Sequence, residues 1–343
     1  MDALQLGYKI FFLFIILGIT LVIAMYSTYA ERKVAAYMQD RRGPNRAGRW
    51  GLMQPLADGI KMLMKEEIIP FTAQRSLFIM GPGIAMTTAL LTGVVIPWGS
   101  EFTVKGQTFS LQIADLNIGI LFVFAMVSIG VYGIMLGGWA SNNKYALLGS
   151  IRAASQMISY ELAMGMSIIA LILTTGSLSL RDIVMQQQGW HWNIIYQPLG
   201  FLIFLICAFA ETNRAPFDLP ECETELIGGY HTEYSSMKLG FYLFAEYINM
   251  FISSAVIVTL YFGGYQMPLL HHLGFSPNIL TLLGSLFFFI KIFIVIFVFM
   301  WVRWTLPRFR YDQLMNLGWK GLIPLAILNI AITGGFLFLK DIF

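Results

Sequence analysis

The chain has 343 residues, 57% of them hydrophobic and only 12% charged, with a mean hydropathy of +0.69. Charged residues make up about a quarter of an ordinary soluble domain, so a water-soluble globule of this size is excluded for want of polar surface. The net charge of +3 says little as a total; its distribution along the chain says more.

The first apolar run begins near Tyr8, is long enough to cross a bilayer and has no small-residue cleavage site after it. It reads as a retained helix and not as a removed signal peptide. A crossing takes about 20 apolar residues, and such stretches recur at about 8–29, 77–98, 118–139, 154–175, 194–210, 239–262, 279–301 and 322–339. The fifth is the shortest. Helices are expected, because backbone polar groups in lipid need internal partners. A closed barrel would show alternating segments of roughly ten residues. The expected fold is therefore an all-α polytopic membrane protein of eight transmembrane helices in a single membrane domain over 1–343.

Two connections are more than plain loops. In the first, Leu52, Met53, Leu56, Ile60, Leu63 and Met64 recur at helical spacing while Asp58, Lys61 and Lys65 share another face. That pattern predicts an amphipathic helix over about 52–65, on the membrane surface or against a partner, with Pro55 in its first turn. The other is an acidic loop over 211–238.

Seventeen of the 22 Lys and Arg fall in the odd-numbered connections, nine of them between Glu31 and Arg75. The even connections and termini hold Lys9, Lys105, Arg181 and Lys340, and Lys291 lies inside the seventh span. Positive residues stay on the cytoplasmic side. The odd loops are thus cytoplasmic and both termini periplasmic, as an even number of crossings requires.

Several chemistries lack their residues. No Gly-rich phosphate loop, paired-cysteine motif or zinc-binding histidine pair occurs. His191, His231, His271 and His272 make no ligand set, and Cys207 and Cys222 are too few for an iron–sulfur cluster. Cys207 sits in an apolar run and Cys222 in the acidic loop, which argues against a disulfide. No metal, nucleotide, flavin, iron–sulfur cluster or nucleic acid is expected to bind this chain.

What stands out is acid within apolar runs. Glu161 lies about two turns into the fourth span, Glu211 at the end of the fifth and Glu246 about two turns into the sixth. A carboxylate in hydrocarbon is costly, so such groups face a bundle interior or a water cavity and mark ion paths. Burial also favours the neutral form, which lets a carboxyl both take and release a proton near neutral pH. The plain alternative for one such Glu is a structural hydrogen bond between helices. Tyr242, Glu246, Asn249 and Ser253 fall on one helical face. Gln156, Tyr160, Ala163 and Ser167 form a similar face with Glu161 beside it. Two such faces could line a hydrated path, or could be ordinary polar packing. Lys291 is either a counter-charge for one of these acids or a cation in a small polar pocket.

Between Glu211 and Glu233 the acidic loop holds Glu211, Asp218, Glu221, Glu223, Glu225 and Glu233 against one base, Arg214. Pro216, Phe217, Leu219, Pro220, Leu226 and Ile227 are threaded among them, so the loop is expected to fold back into the protein. Crowded carboxylates share protons, which suits a proton reservoir. The first loop is opposite in sign, with Arg32, Lys33, Arg41, Arg42 and Arg46. That is simple topology, or a surface for an acidic partner.

These segments resemble the H-type membrane subunits of bacterial NADH:quinone oxidoreductases (respiratory complex I), the counterparts of mitochondrial NADH dehydrogenase subunit one. The resemblance is carried by Glu-Arg-Lys at 31–33, Arg-Arg-Gly-Pro-Asn at 41–45 and Gly-Leu-Met-Gln-Pro-Leu-Ala-Asp-Gly at 51–59. It continues in Gly-Trp-Ala-Ser-Asn-Asn-Lys-Tyr-Ala-Leu-Leu-Gly at 138–149, Ser-Tyr-Glu at 159–161 and Glu-Thr-Asn-Arg-Ala-Pro-Phe-Asp-Leu at 211–219. Ala-Glu-Tyr at 245–247 and Arg-Tyr-Asp-Gln-Leu-Met at 310–315 complete it, in order along nearly the whole chain.

The resemblance implies the membrane end of a quinone chamber, with quinone as substrate and with peripheral iron–sulfur and quinone-site subunits delivering electrons. It implies neighbouring small membrane subunits and antiporter-like pump subunits, in a bacterial inner membrane. By it, Glu161, Glu211, Glu221, Glu223, Glu225 and Glu246 belong to a proton path joining quinone reduction to the pumps, and Asp218 and Glu233 support the acidic loop. Arg32, Arg42, Asp58, Lys61, Arg214 and Phe217 belong to the chamber or the partner interface. Cys222 stands where the family commonly has Gly, which reaches φ > 0 more cheaply and implies a stiffer loop here. Rival readings are a stand-alone cation–proton transporter, a homologous subunit of a membrane-bound hydrogenase or other-donor quinone reductase, and a structural anchor. Transporters often show paired repeats and broken helices, and none is found. An anchor would not explain acids in three spans.

Overall fold

A computed structural model describes residues 3–104, 106–219, 227–268 and 276–342. The described chain is mostly helical. Six helices are long and apolar enough to cross a membrane: α1 (Ala3–Met38), α4 (Gly119–Ala140), α5 (Lys144–Thr175), α9 (Ser236–Tyr261), α10 (Pro277–Thr305) and the run from Tyr311 to Leu339. That last run begins as α11 (Tyr311–Asn316), passes through one π-helical turn at Leu317–Leu322 and continues as α12 (Ile323–Ile342). Helix α1 has 36 residues, about 54 Å at 1.5 Å each. It outruns a hydrocarbon core of about 30 Å, and its last turns carry Glu31, Arg32 and Lys33 beyond the apolar stretch.

The predicted second and fifth spans are occupied by shorter helices. Helix α3 (Arg75–Thr92) stops six residues before Trp98. Gly93 follows it, and Pro97 lacks a backbone donor and disfavours helix at the residue before it. The remaining apolar residues pack inside the protein without helix: Val95, Ile96 and Trp98 are buried, and the Trp98 indole donates to Gly93 O at 3.2 Å. In the fifth stretch a single turn, α7 (Asn193–Tyr196), precedes α8 (Pro198–Glu211), which has 14 residues and starts on Pro198.

Helix α2 (Gln54–Met64) stands in the first connection, with Leu56, Ile60, Leu63 and Met64 exposed. The second connection holds an antiparallel hairpin, β1 (Glu101–Val104) and β2 (Gln107–Ser110), in which Glu101 pairs with Ser110. Short α6 (Leu180–Gln186) follows α5; its Arg181 reaches Glu101 at 2.5 Å and Asp115 at 3.6 Å.

Helix α9 runs through the centre, buried over most of its length, against α1, α3, α8 and α10. Beside it α3 and α4 meet at glycines. A Cβ on Gly133 would lie 2.8 Å from Ala85 N and 2.9 Å from Gly81 O, and one on Gly137 would strike the hydroxyl of Tyr242. Small residues four apart let the helices close in this way, and the gap they leave holds a tyrosine from α9.

Candidate functional site

The polar face read on the sixth span turns inward as a unit. Tyr242, Glu246, Asn249 and Ser253 all line one internal cavity of about 60 Å³ between α3, α4, α5, α8 and α9. A buried water occupies roughly 10–15 Å³ in this measure, so a few waters fit. Glu211, the last residue of α8, lines the same space from the other side, with Thr88, Thr92 and Asn213 adding polar groups. Glu211 and Glu246 are both buried. The Oε2 atom of Glu211 has no hydrogen-bond partner among the described residues. Tyr230 donates to Glu246 Oε1 at 3.0 Å. Glu161 on α5 is half-buried and accepts a hydrogen bond from Ser128 Oγ of α4.

The matching face of the fourth span behaves differently: of the two readings open for it, ordinary polar packing is the one found. Met157 and Met164 of α5 reach the cavity; Gln156, Tyr160, Ala163 and Ser167 do not. Gln156 Nε2 instead donates to Ala210 O at 2.9 Å and Phe217 O at 2.8 Å, and Tyr160 donates to Leu314 O at 2.9 Å. These groups tie α5 to α8, to the loop after it and to α11.

That loop does fold back into the protein as far as it is described. Thr212, Asn213, Arg214, Phe217, Asp218 and Leu219 are buried. Phe217 packs edge-on to Tyr160 with ring centres 5.4 Å apart, and Phe309 N donates to Pro216 O at 3.3 Å. Two of the loop's acids are individually partnered and do not simply crowd their neighbours. Asp218 accepts from Arg308 Nη2 at 3.0 Å, a base that comes from outside the loop. Glu233 accepts from Asn143 Nδ2 at 2.5 Å. Glu221, Glu223 and Glu225, with Cys222, lie outside the described residues, as do His271 and His272.

Arg214 belongs to a buried cluster that the residue pattern did not reveal. Its Nη1 is 3.3 Å from Glu31 Oε2, and its guanidinium lies 4.0 Å from the centre of the Tyr247 ring. Tyr247 donates to Glu31 Oε2 at 2.8 Å, and Arg303 pairs with Glu31 Oε1. Burial alone would lower the pKa of Arg214; Tyr247, Glu31 and Glu246 around it outweigh that and hold it above the ordinary arginine range. One carboxylate at the end of α1 thus joins the α8–α9 loop, α9 and α10.

The remaining predicted residues lie apart from the cavity. Arg32 and Asp58 pair at 2.7 Å on the exposed side of α2, where Gln54 also donates to Asp58. Lys61 and Arg42 are both exposed at the surface of the first connection. Lys291 is not a counter-charge. Its ammonium donates to Phe262 O, Gly264 O and Gln266 O at 2.8–2.9 Å, beside the Trp192 ring. It closes the carbonyl end of α9, where a cation also meets the negative pole of the helix. Residues missed in the sequence include Glu31, Ser128, Tyr230 and Arg303. Only Glu31 carried a signal, an acid directly before Arg32 and Lys33. No three His, Cys, Asp or Glu among the described residues gather into a metal site.

The arrangement defines a class: a helical, multi-pass membrane protein with carboxyls on a cavity between its helices, beside a buried loop at one end of the bundle. The family described as NADH dehydrogenase matches residues 10–334. The H-type NADH-quinone oxidoreductase subunit numbered 1 of Cytophaga hutchinsonii is 70% identical over 94% of this chain and 94% of its own. The H-type subunit of Flavobacterium johnsoniae is 61% identical over 96% and 94%, and the one numbered 2 of Geobacter sulfurreducens is 51% identical over 96% and 95%. The chain belongs to the NADH dehydrogenase family, among its H-type subunits, and is a membrane subunit of an oxidoreductase complex. Membership as a subunit removes the ground for reading it as a stand-alone transporter.

Proposed function

We propose that this chain forms the membrane end of a quinone chamber and couples quinone reduction to proton translocation through Glu211, Glu246 and Glu161. One observation carries the reading: Glu211 and the polar face of α9 converge on one water-sized cavity, with the buried Arg214 loop at its end. Reduction of a quinone to the quinol takes two electrons and two protons. That demand, made near the loop, changes the charge next to the cavity, and the carboxyls answer by exchanging protons through cavity water. Moving one charge across the membrane takes about 2.3 kcal/mol per 100 mV. A tenfold change in a carboxyl's protonation equilibrium is about 1.36 kcal/mol, so a few such changes match the load.

In this reading α3 and α8 complete eight crossings with both termini periplasmic, in a bacterial inner membrane, and the chain is one membrane domain. Helix α2 lies at the cytoplasmic surface, its exposed Leu56, Ile60 and Leu63 in the lipid interface. Arg32, Arg42, Asp58 and Lys61 face the chamber mouth or the peripheral iron–sulfur subunits, and Arg214 and Phe217 shape its inner end. Glu221, Glu223 and Glu225 extend the path toward the quinone, and small membrane subunits and antiporter-like pump subunits receive the signal.

The test is Glu211→Gln in the whole complex, reconstituted in liposomes. NADH-driven proton uptake is expected to be lost while the complex stays assembled. Normal uptake by an intact complex overturns the reading.

A further inference from the structure

Tyr230 donates to a cavity carboxyl from outside the spanning helices. It sits in the 3-10 turn Gly229–His231, just beyond the acidic stretch of the loop, and is 1% exposed. Two contacts and a backbone turn fix it. At Gly149, α5 comes so close that a side chain there would lie 2.8 Å from Tyr230 N and 2.9 Å from Gly229 Cα. The Gly229 backbone has φ 61°, which suits glycine. The Tyr230 ring meets that of Tyr242 edge-on, centres 5.1 Å apart. Tyr242 is itself held by its hydrogen bond to Gly133 O at 3.0 Å. Backbone and ring being seated, the hydroxyl is left 3.0 Å from Glu246 Oε1 with little freedom to turn away.

The groups around Glu246 differ in kind. Glu211 shares its cavity, Arg214 feels its charge, and Tyr242 lies one turn before it on α9. Tyr230 differs from these in bringing a neutral hydroxyl to the carboxyl from a seated turn of the loop. The donor also belongs to the loop's own segment. It lies between Glu225 and Glu233 in sequence, ahead of Ser236, where α9 begins.

We propose that Tyr230 is a positioning residue that aims the Glu246 carboxyl into the cavity and ties its orientation to the conformation of the acidic loop. The inference rests on the coupling role given above to Glu246. A preorganised donor on a fixed backbone sets where the carboxyl points with no reorganisation when the charge changes, and a displacement of the Gly229–His231 turn reaches the carboxyl through this hydrogen bond.

The experiment uses the whole complex in liposomes, with Glu246→Gln, Tyr230→Phe and the double variant. Protons moved per NADH, quinone-reduction rate and the redox-induced infrared difference spectrum are read together. Glu246→Gln identifies the Glu246 carboxyl band by removing it and lowers the proton ratio. Tyr230→Phe keeps the ring and loses the donor. It is expected to displace that band and lower the ratio about two-fold or more, a hydrogen bond to a carboxyl being lost, with quinone reduction maintained. The double variant should be no worse than Glu246→Gln alone. Tyr230→His, which keeps an N–H donor, should recover part of the ratio, and Tyr230→Leu, which also lacks the donor, replaces the phenylalanine variant should that one not assemble. An unmoved band and a normal ratio in Tyr230→Phe overturn the inference while leaving the coupling role of Glu246 standing. A normal ratio in Glu246→Gln overturns that role itself.

Discussion

Buried carboxyls occur here in two environments. Glu31 and Asp218 are clamped: the first by Arg214, Arg303 and Tyr247, the second by Arg308. Glu211 and Glu246 face a water-sized cavity, the first with one oxygen unpartnered among the described residues and the second on a neutral hydroxyl donor. The clamped acids have cations to hold their charge and join elements of the fold. The cavity acids have room for water beside them, which the proposed coupling requires. On the proposed reading, burial alone does not mark a proton carrier; the surroundings of the carboxyl do.

The largest expected effect comes from breaking a clamp. Glu31→Ala leaves two arginines facing a buried hole. Removing one member of a buried ion pair costs about 3–5 kcal/mol. The amount of assembled complex on a native gel should fall sharply, and quinone reduction and pumping should fall together in proportion. Pumping lost selectively, in a complex present at normal amount, would move Glu31 into the second class.

A smaller effect is expected at Lys291. Lys291→Met leaves three carbonyls at the end of α9 without their donor, a loss of about 2 kcal/mol. The thermal midpoint of the purified complex should drop, while protons per NADH stay unchanged in the surviving molecules. A changed ratio at unchanged midpoint would make Lys291 part of the proton path, against its carbonyl cage.

How much of this was legible in the sequence follows the reach of each interaction. The α9 face was legible because Tyr242, Glu246, Asn249 and Ser253 repeat at the helix period. The same period misled at Gln156 and Tyr160, since a helix hides polar groups against protein as readily as against water. Hydropathy overran α3 because Val95, Ile96 and Trp98 are apolar for packing inside the protein. The Glu31 cluster was hidden because its arginines lie 183 and 272 residues away in the chain. The meaning of Lys291 depended on carbonyls, which no side-chain pattern displays.

The smallest expected effect separates the exposed pair from the buried one. Arg32 and Asp58 are 2.7 Å apart, closer than Arg214 and Glu31 at 3.3 Å, yet the Arg32 side chain is 51% exposed. Water and salt screen such a pair, and exposed pairs are worth roughly 0–1 kcal/mol. Arg32→Ala should leave the thermal midpoint nearly unchanged, whereas Arg214→Ala, which removes a buried cation from the Glu31 clamp, should not. If Arg32→Ala instead lowers quinone affinity at constant midpoint, the residue acts at the mouth of the proposed chamber and its pairing with Asp58 is a matter of placement. If it lowers the midpoint as far as Arg214→Ala does, exposure is the wrong measure for this surface, and contact with another subunit is the remaining way to bury that guanidinium.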